Sequence, residues 1–164
     1  SGRRFHQKCF AQSIHSALTH HGLSTQDLLL EITESVVMDG RTVTQENIEQ
    51  LSQQGFRLSL DDFGTGYSSL SYLHRLPIAE LKLDKSFVQD LEHSETARAL
   101  TISVLSIAKS LGMTVVAEGV ETSQQCRWLK EHGCEVMQGY LLGRPMPAHM
   151  LHAWSLEASA VCCS

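Results

Sequence analysis

Residues 58–70 read LSLDDFGTGYSSL, an apolar run closed by two adjacent aspartates, Asp61 and Asp62, and followed by Gly64, Thr65 and Gly66. Comparable groups recur along the chain: Glu31 in EITE, Lys82 and Asp84 in KLD, Glu118 in AEGVE and Gln138 in QGY, with Glu34 and Glu121 one turn or bend further on. The set is mostly carboxylate, with one ammonium and one amide. Oxygen donors without His or Cys suit hard divalent cations, Mg²⁺ or Mn²⁺, rather than zinc. Adjacent aspartates can serve two ions, one bridging while its neighbour binds only the second. Two ions about 4 Å apart clamp the attacking and leaving oxygens of a phosphoester displacement, and a nearby lysine can lower the pKa of the water or hold it in line. Phosphodiester hydrolysis is the chemistry these parts fit. The FGTGYSS segment supplies glycines and hydroxyls suited to a mobile loop over such a site.

Plainer roles compete with this one. A lone strand-end carboxylate more often caps the next helix or joins a structural ion pair, and Asp84 and Glu121 could be only that. Four independent caps need not share a face and a height, so the plain reading weakens for Glu31, Asp61, Asp62 and Glu118 taken together. Gly64 and Gly66 could form an ordinary turn, since a short Gly-x-Gly is weak evidence for phosphate binding. Gln138 could be a hydrogen-bonding strand end, and Tyr140 and Trp128 are read as packing residues.

The elements that must position these groups follow from periodicity. Short apolar runs (DLLLEIT, FRLSLDD, AELKLD, MTVVAEG, CEVMQG) alternate with amphipathic stretches (TQENIEQLSQQG, a short SLSYLHRL, ETARALTISVLSIAKSLG, TSQQCRWLKEHG, AHMLHAWSLEA), a succession of βα units and hence a parallel sheet. Gly55, Gly112 and Gly133 each close a helix just before a strand, where a left-handed C-cap is expected. Counted from those glycines, Asp61 and Glu118 each lie six residues on and Gln138 five, so a polar group recurs at nearly one height. Alternation puts Arg57, Ser59 and Asp61 on one face and Phe56, Leu58 and Leu60 on the other. The same parity sets Glu80, Lys82 and Asp84 against Leu81 and Leu83, Thr114, Val116 and Glu118 against Met113, Val115 and Ala117, and Glu31 and Thr33 against Leu30 and Ile32. In a doubly wound open sheet both faces meet helices and such inward charges are costly, whereas in a barrel they gather at the C-terminal rim. The predicted fold is therefore α/β, a TIM-like (β/α)8 barrel represented by its last five βα units, with the N-terminal strands absent.

Composition narrows the function class. The 164 residues, 42% hydrophobic and 19% charged, suit one packed domain. A net charge of −5 with scattered Lys and Arg gives no basic stripe for polymeric nucleic acid. Five cysteines without a CxxC pair indicate neither a disulfide framework nor a zinc site and point to a reducing cytosol. Nine histidines lack the spacing of a helical zinc site and read as surface or packing residues. No apolar run reaches the roughly 18 residues of a membrane span, so no membrane contact is expected of this segment, although it can belong to a larger protein anchored in the inner membrane.

The segments LLLEITES, DDFGTGYSSL, ELKLDKSFV, VVAEGVET and MQGYLLGRPMP, in this order and spacing, resemble the EAL domain family of bacterial cyclic di-GMP phosphodiesterases. The resemblance implies a (β/α)8-type barrel with one reversed strand and metal-dependent hydrolysis of cyclic di-GMP to linear 5′-pGpG. On this likeness Glu31, Asp61, Asp62 and Glu118 stand as metal ligands, with Asp61 bridging. Lys82 helps activate the water, so that Lys82, Asp61 and Glu118 carry catalysis, and Gln138 lines the site. Glu34 steadies the loop from Gly64 to Ser69, and Glu121 is an outer orienting glutamate. Mg²⁺ or Mn²⁺ in a two-ion site, a homodimer of the intact domain, and sensory or GGDEF-type domains ahead of it in a cytoplasmic or membrane-anchored parent are the implied cofactors and partners.

The family's Glu-Ala-Leu strand and the asparagine of its NxS strand have no counterpart here, and SGRRFHQKCF resembles the stretch beginning at that serine. The expected organisation is a truncated EAL domain over 1–157 with a C-terminal tail over 158–164. The segment by itself is expected to bind metal poorly and to be inactive. The rival reading is a non-catalytic cyclic di-GMP receptor or regulatory EAL-like domain. A third is a fragment that self-associates through an open sheet edge.

Overall fold

In the computed structural model, which describes residue 5 and residues 10–38, 41–64 and 73–161, with side chains to residue 155, strand and helix alternate as the periodicity predicts. The order is α1 (Phe10–His20), a 3₁₀ turn (Thr25–Asp27), β1 (Leu29–Thr33), α2 (Glu34–Val37), α3 (Thr42–Gln53), β2 (Arg57–Phe63), β3 (Glu80–Leu83), α4 (Lys85–Gln89), a 3₁₀ turn (Asp90–Glu92), α5 (Glu95–Ser110), β4 (Thr114–Glu118), α6 (Ser123–Glu131), β5 (Val136–Gln138) and α7 (Ala148–Val161). The three helix-ending glycines, Gly55, Gly112 and Gly133, hold positive φ of 84°, 71° and 84°, the left-handed conformation a β-carbon resists. Half of the short helical stretch expected around SLSYLHRL, residues 69–72, falls outside the described residues. Helices α2 and α4, only four and five residues long, are too short to give a periodic signal; α1, whose Phe10, Ala11, Ile14 and Leu18 recur at helical spacing, is not among the predicted stretches.

All five strands are parallel and lie in the order β1-β2-β3-β4-β5. A doubly wound sheet reverses its order at a switch point; this one never does, which is the arrangement of consecutive units around a barrel. The outward faces carry the core. Leu58, Leu60, Leu81, Leu83, Val115 and Ala117 are buried under the helices, at about 2 kcal/mol for each large aliphatic side chain removed from water.

Helix α5 shows how local chemistry fixes this layer. Ser94 Oγ accepts from the Ala97 N–H at 3.1 Å to cap its start, and Ala97, Thr101, Leu105 and Ala108 make one buried stripe at helical spacing. Helix α6 begins with a capping box, the Thr122 side chain receiving the Gln125 N–H and the Gln125 side chain receiving the Thr122 N–H.

Candidate active site

The inward face of the sheet is polar, and its groups converge on Lys82. Side-chain Nζ lies 3.1 Å from Glu31 Oε1 on β1, 3.0 Å from Asp61 Oδ1 on β2 and 2.8 Å from Glu118 Oε1 on β4. Four adjacent strands thus deliver one cation and three carboxylates to one point, as parity and strand height predict. One layer lower on the same face, Ser59 Oγ donates to Glu80 Oε1 at 2.9 Å.

Strand register explains the doubled aspartate. Leu60 pairs with Leu81 and Phe63 with Leu83, so Asp61 and Asp62 together stand opposite the single Lys82. Two residues facing one is a β-bulge, and Asp62 takes the positive φ of 57° there, a conformation its short polar side chain tolerates. The bulge returns Phe63 to the buried apolar face beside Leu83 while leaving two consecutive carboxylates at the rim. Asp62 is exposed.

Electrostatics follow from this geometry. Burial works to lower the pKa of Lys82, but Glu118, Asp61 and Glu31 outweigh it and hold the pKa above the usual lysine value. Lys82 is therefore an ammonium at neutral pH, a donor and positive charge rather than a base. Asp61 Oδ1 is buried, with the Lys82 ammonium 3.0 Å away. A buried carboxylate oxygen beside the carboxylates of Glu31 and Glu118 is a donor set that fits a hard divalent cation. Among the described residues no three carboxylate, imidazole or thiol groups form a ready cation cluster, since Glu31, Asp61 and Glu118 meet on the ammonium instead.

Around this centre, Glu34 is buried at the start of α2, and its Oε2 accepts from the Gly64 N–H at 3.0 Å. Gly64 holds φ +95°, and a β-carbon there would stand 2.6 Å from the Phe87 ring. Thr65 and Gly66 lie outside the described residues. Asp84 is the N-cap of α4, accepting from Ser86 N at 2.9 Å and Ser86 Oγ at 2.6 Å, so the plainer of its two readings describes its contacts. Gln138 ends β5 beside Glu118 and is exposed, as is Glu121, whose N–H donates to Gln125 Oε1 at 2.8 Å. Trp128 packs as expected, stacked on His132 with centroids 3.9 Å apart. Tyr140 does not: its ring is exposed, with the Arg144 guanidinium 4.5 Å from its centroid, because residue 140 lies beyond the end of β5.

Sequence reasoning missed Glu92, whose Oε1 accepts from Thr122 Oγ1 at 2.5 Å across thirty positions. The Thr-x-x-Gln capping box was legible at Thr122 and Gln125; its link to Glu92 had no sequence signal.

A family model for the EAL domain matches residues 1–145. The chain belongs to the EAL domain family. This EAL chain is 44% identical over 153 residues, 93% of its length, to the bifunctional diguanylate cyclase/cyclic di-GMP phosphodiesterase MucR of Pseudomonas aeruginosa. It is 46% identical over 150 residues, 89% of its length, to the cyclic di-GMP phosphodiesterase NbdA of the same organism. It spans only 22% and 19% of those two relatives. The solved MucR phosphodiesterase in complex with cyclic di-GMP matches with a TM-score of 0.87 at 44% identity, covering 92% of this chain and 61% of that one. A manganese/cyclic di-GMP complex of Klebsiella pneumoniae BlrP1 matches with a TM-score of 0.81 at 36% identity, covering 87% of this chain and 36% of that one. Its solved neighbours being TIM-barrel EAL domains, the five parallel strands are an arc of that barrel.

Proposed function

We propose that this EAL domain is a metal-dependent phosphodiesterase that hydrolyses cyclic di-GMP to linear 5′-pGpG in bacterial second-messenger signalling. The observation that carries the reading is the convergence of Glu31, Asp61 and Glu118 on Lys82 within 2.8–3.1 Å at the strand ends of a domain whose relatives bear that activity in their names. Glu31, Asp61, Asp62 and Glu118 would hold Mg²⁺ or Mn²⁺, which supply Lewis acidity to the phosphodiester and its attacking water. Water oxygen bonds to phosphorus as the bond to O3′ breaks, and the proton released by the water ends on O3′. Lys82 donates from its ammonium toward the water or the developing negative charge, and its three carboxylates hold that donor still. Glu34 fixes the start of the loop at Gly64, Gln138 lines the rim beside Glu118, and Glu121 stands on the turn just beyond it. A domain over 1–157 with a tail over 158–164, a homodimer, a cytoplasmic setting and sensory or GGDEF-type domains in a longer protein belong to the same reading.

The test is incubation of the intact protein with Mn²⁺ or Mg²⁺ and cyclic di-GMP, following the linear dinucleotide by chromatography. Turnover that disappears in Asp61→Ala and in Lys82→Ala is expected. Near-normal turnover in either variant rejects the mechanism, and binding without product identifies a receptor instead.

A further inference from the structure

Glu118 is the last residue of β4, so whatever holds the turn that follows it, Gly119–Thr122, sets where its carboxylate stands. From the β5 side, Val120 N–H donates to Gln138 O at 3.1 Å and Val120 O accepts from Leu141 N at 3.0 Å. From α6, Gln125 Oε1 accepts from the backbone N–H groups of Glu121 and Thr122 at 2.8 and 3.1 Å. The third side is reached from the β3–α5 connection. Thr122 Oγ–H donates to Glu92 Oε1 at 2.5 Å, within the short range of a hydroxyl bound to a carboxylate. Glu92 is itself pinned, because Arg98 donates from Nε to Leu91 O at 2.6 Å and from Nη2 to Glu92 O at 2.9 Å.

We propose that Glu92 is a positioning residue of the active site, acting through Thr122 to lock the turn after Glu118 to the segment that follows Lys82. This rests on the phosphodiesterase reading above. The capping box is local and fixes the turn only to α6. The Glu92 bond joins it to the 3₁₀ turn that ends the excursion through α4 from β3, the strand that carries Lys82, so the βα units whose side chains meet at 2.8 Å gain a second junction beyond the rim. The Thr122 hydroxyl uses its proton toward Glu92 and its oxygen toward the Gln125 N–H at 3.1 Å, a double duty that serine can repeat and valine cannot. Gly119 leaves the turn no slack on its inner side, since a β-carbon there would stand 2.5 Å from Lys85 Cβ.

The test compares Glu92→Ala, Glu92→Gln, Thr122→Ser, Thr122→Val and the Ala/Val double variant in the intact protein, with kcat and KM for cyclic di-GMP and hydrogen exchange of the Glu121 and Thr122 amides. Glu92→Ala keeps the capping box, so it should fold normally yet lose about tenfold in kcat with KM nearly unchanged, and exchange those two amides faster. Glu92→Gln, which retains an acceptor, and Thr122→Ser should recover most of the loss, and the double variant should be no worse than Thr122→Val alone. Unchanged kcat and unchanged protection in Glu92→Ala, or losses that multiply in the double variant, overturn the proposal. Should wild type give no product at all, the phosphodiesterase reading fails, while the exchange comparison still decides whether Glu92 orders the turn.

Discussion

At the scale of single residues, Lys82 carries the strongest expectation. Replacing it with Met removes the shared counter-charge of three carboxylates and leaves them repelling one another. A stability loss of about 3 kcal/mol is expected, near the low end for breaking a buried ion pair because Glu31 is half exposed. Urea denaturation checks it. The pH dependence has a definite sign: the folded pKa of Lys82 is raised, so its contribution is complete below about pH 10 and is lost as pH rises through the folded value. The variant should lack that alkaline loss. Gly64 makes a second expectation. Alanine there meets both a positive φ and the Phe87 ring, so the Gly64 turn that Glu34 holds must shift. Turnover should fall at least about tenfold, with a stability cost of about 1–3 kcal/mol that a melt would register.

Elements act on the site through their ends. Helix α4 begins three residues after Lys82, and Asp84 caps it by accepting from the N–H and hydroxyl of Ser86. Asp84→Ala should cost about 1 kcal/mol. Burial pushes the Asp84 carboxyl up, but the bonds from Ser86 prevail and leave its pKa lowered. The cap is therefore fully present above about pH 4 and fades as pH falls through the lowered value, so wild type and variant should converge in acid denaturation. The bulge in β2 is the other decisive element-scale feature. A regular strand would turn Asp62 toward the helices and Phe63 toward the rim; the extra residue keeps Phe63 beside Leu83 and both carboxylates opposite Lys82.

For the whole molecule, the rim is a place where four strands concentrate negative charge around one internal cation. A divalent ion held there by the folded chain alone must stabilise it, by about 2.7 kcal/mol at a hundredfold excess over Kd. In the intact protein a rise in Tm with Mn²⁺, reversed by a chelator and missing in Asp61→Asn, is expected from calorimetry. An equal rise in that variant would place the ion elsewhere. No helix among the described residues is long and apolar enough to cross a membrane.

Features with a short period or a local stereochemical rule are legible along the chain. Two-residue alternation placed Glu31, Asp61, Lys82 and Glu118 on the inward face, helix-closing glycines set nearly one height for Asp61, Glu118 and Gln138, and the ordered motifs identified the EAL resemblance. Tertiary structure decided the rest. That three carboxylates reach Lys82 rather than merely face it depends on strand order and register, which bring together residues 31, 61, 82 and 118. The bulge behind Asp61-Asp62 exists only relative to β3, so periodicity within β2 alone could not show it. Glu92 sits in a short turn of no distinctive composition, and only the packing of one βα unit against the next carries its carboxylate to Thr122. Local rules choose faces; contacts across units are chosen by the assembled sheet.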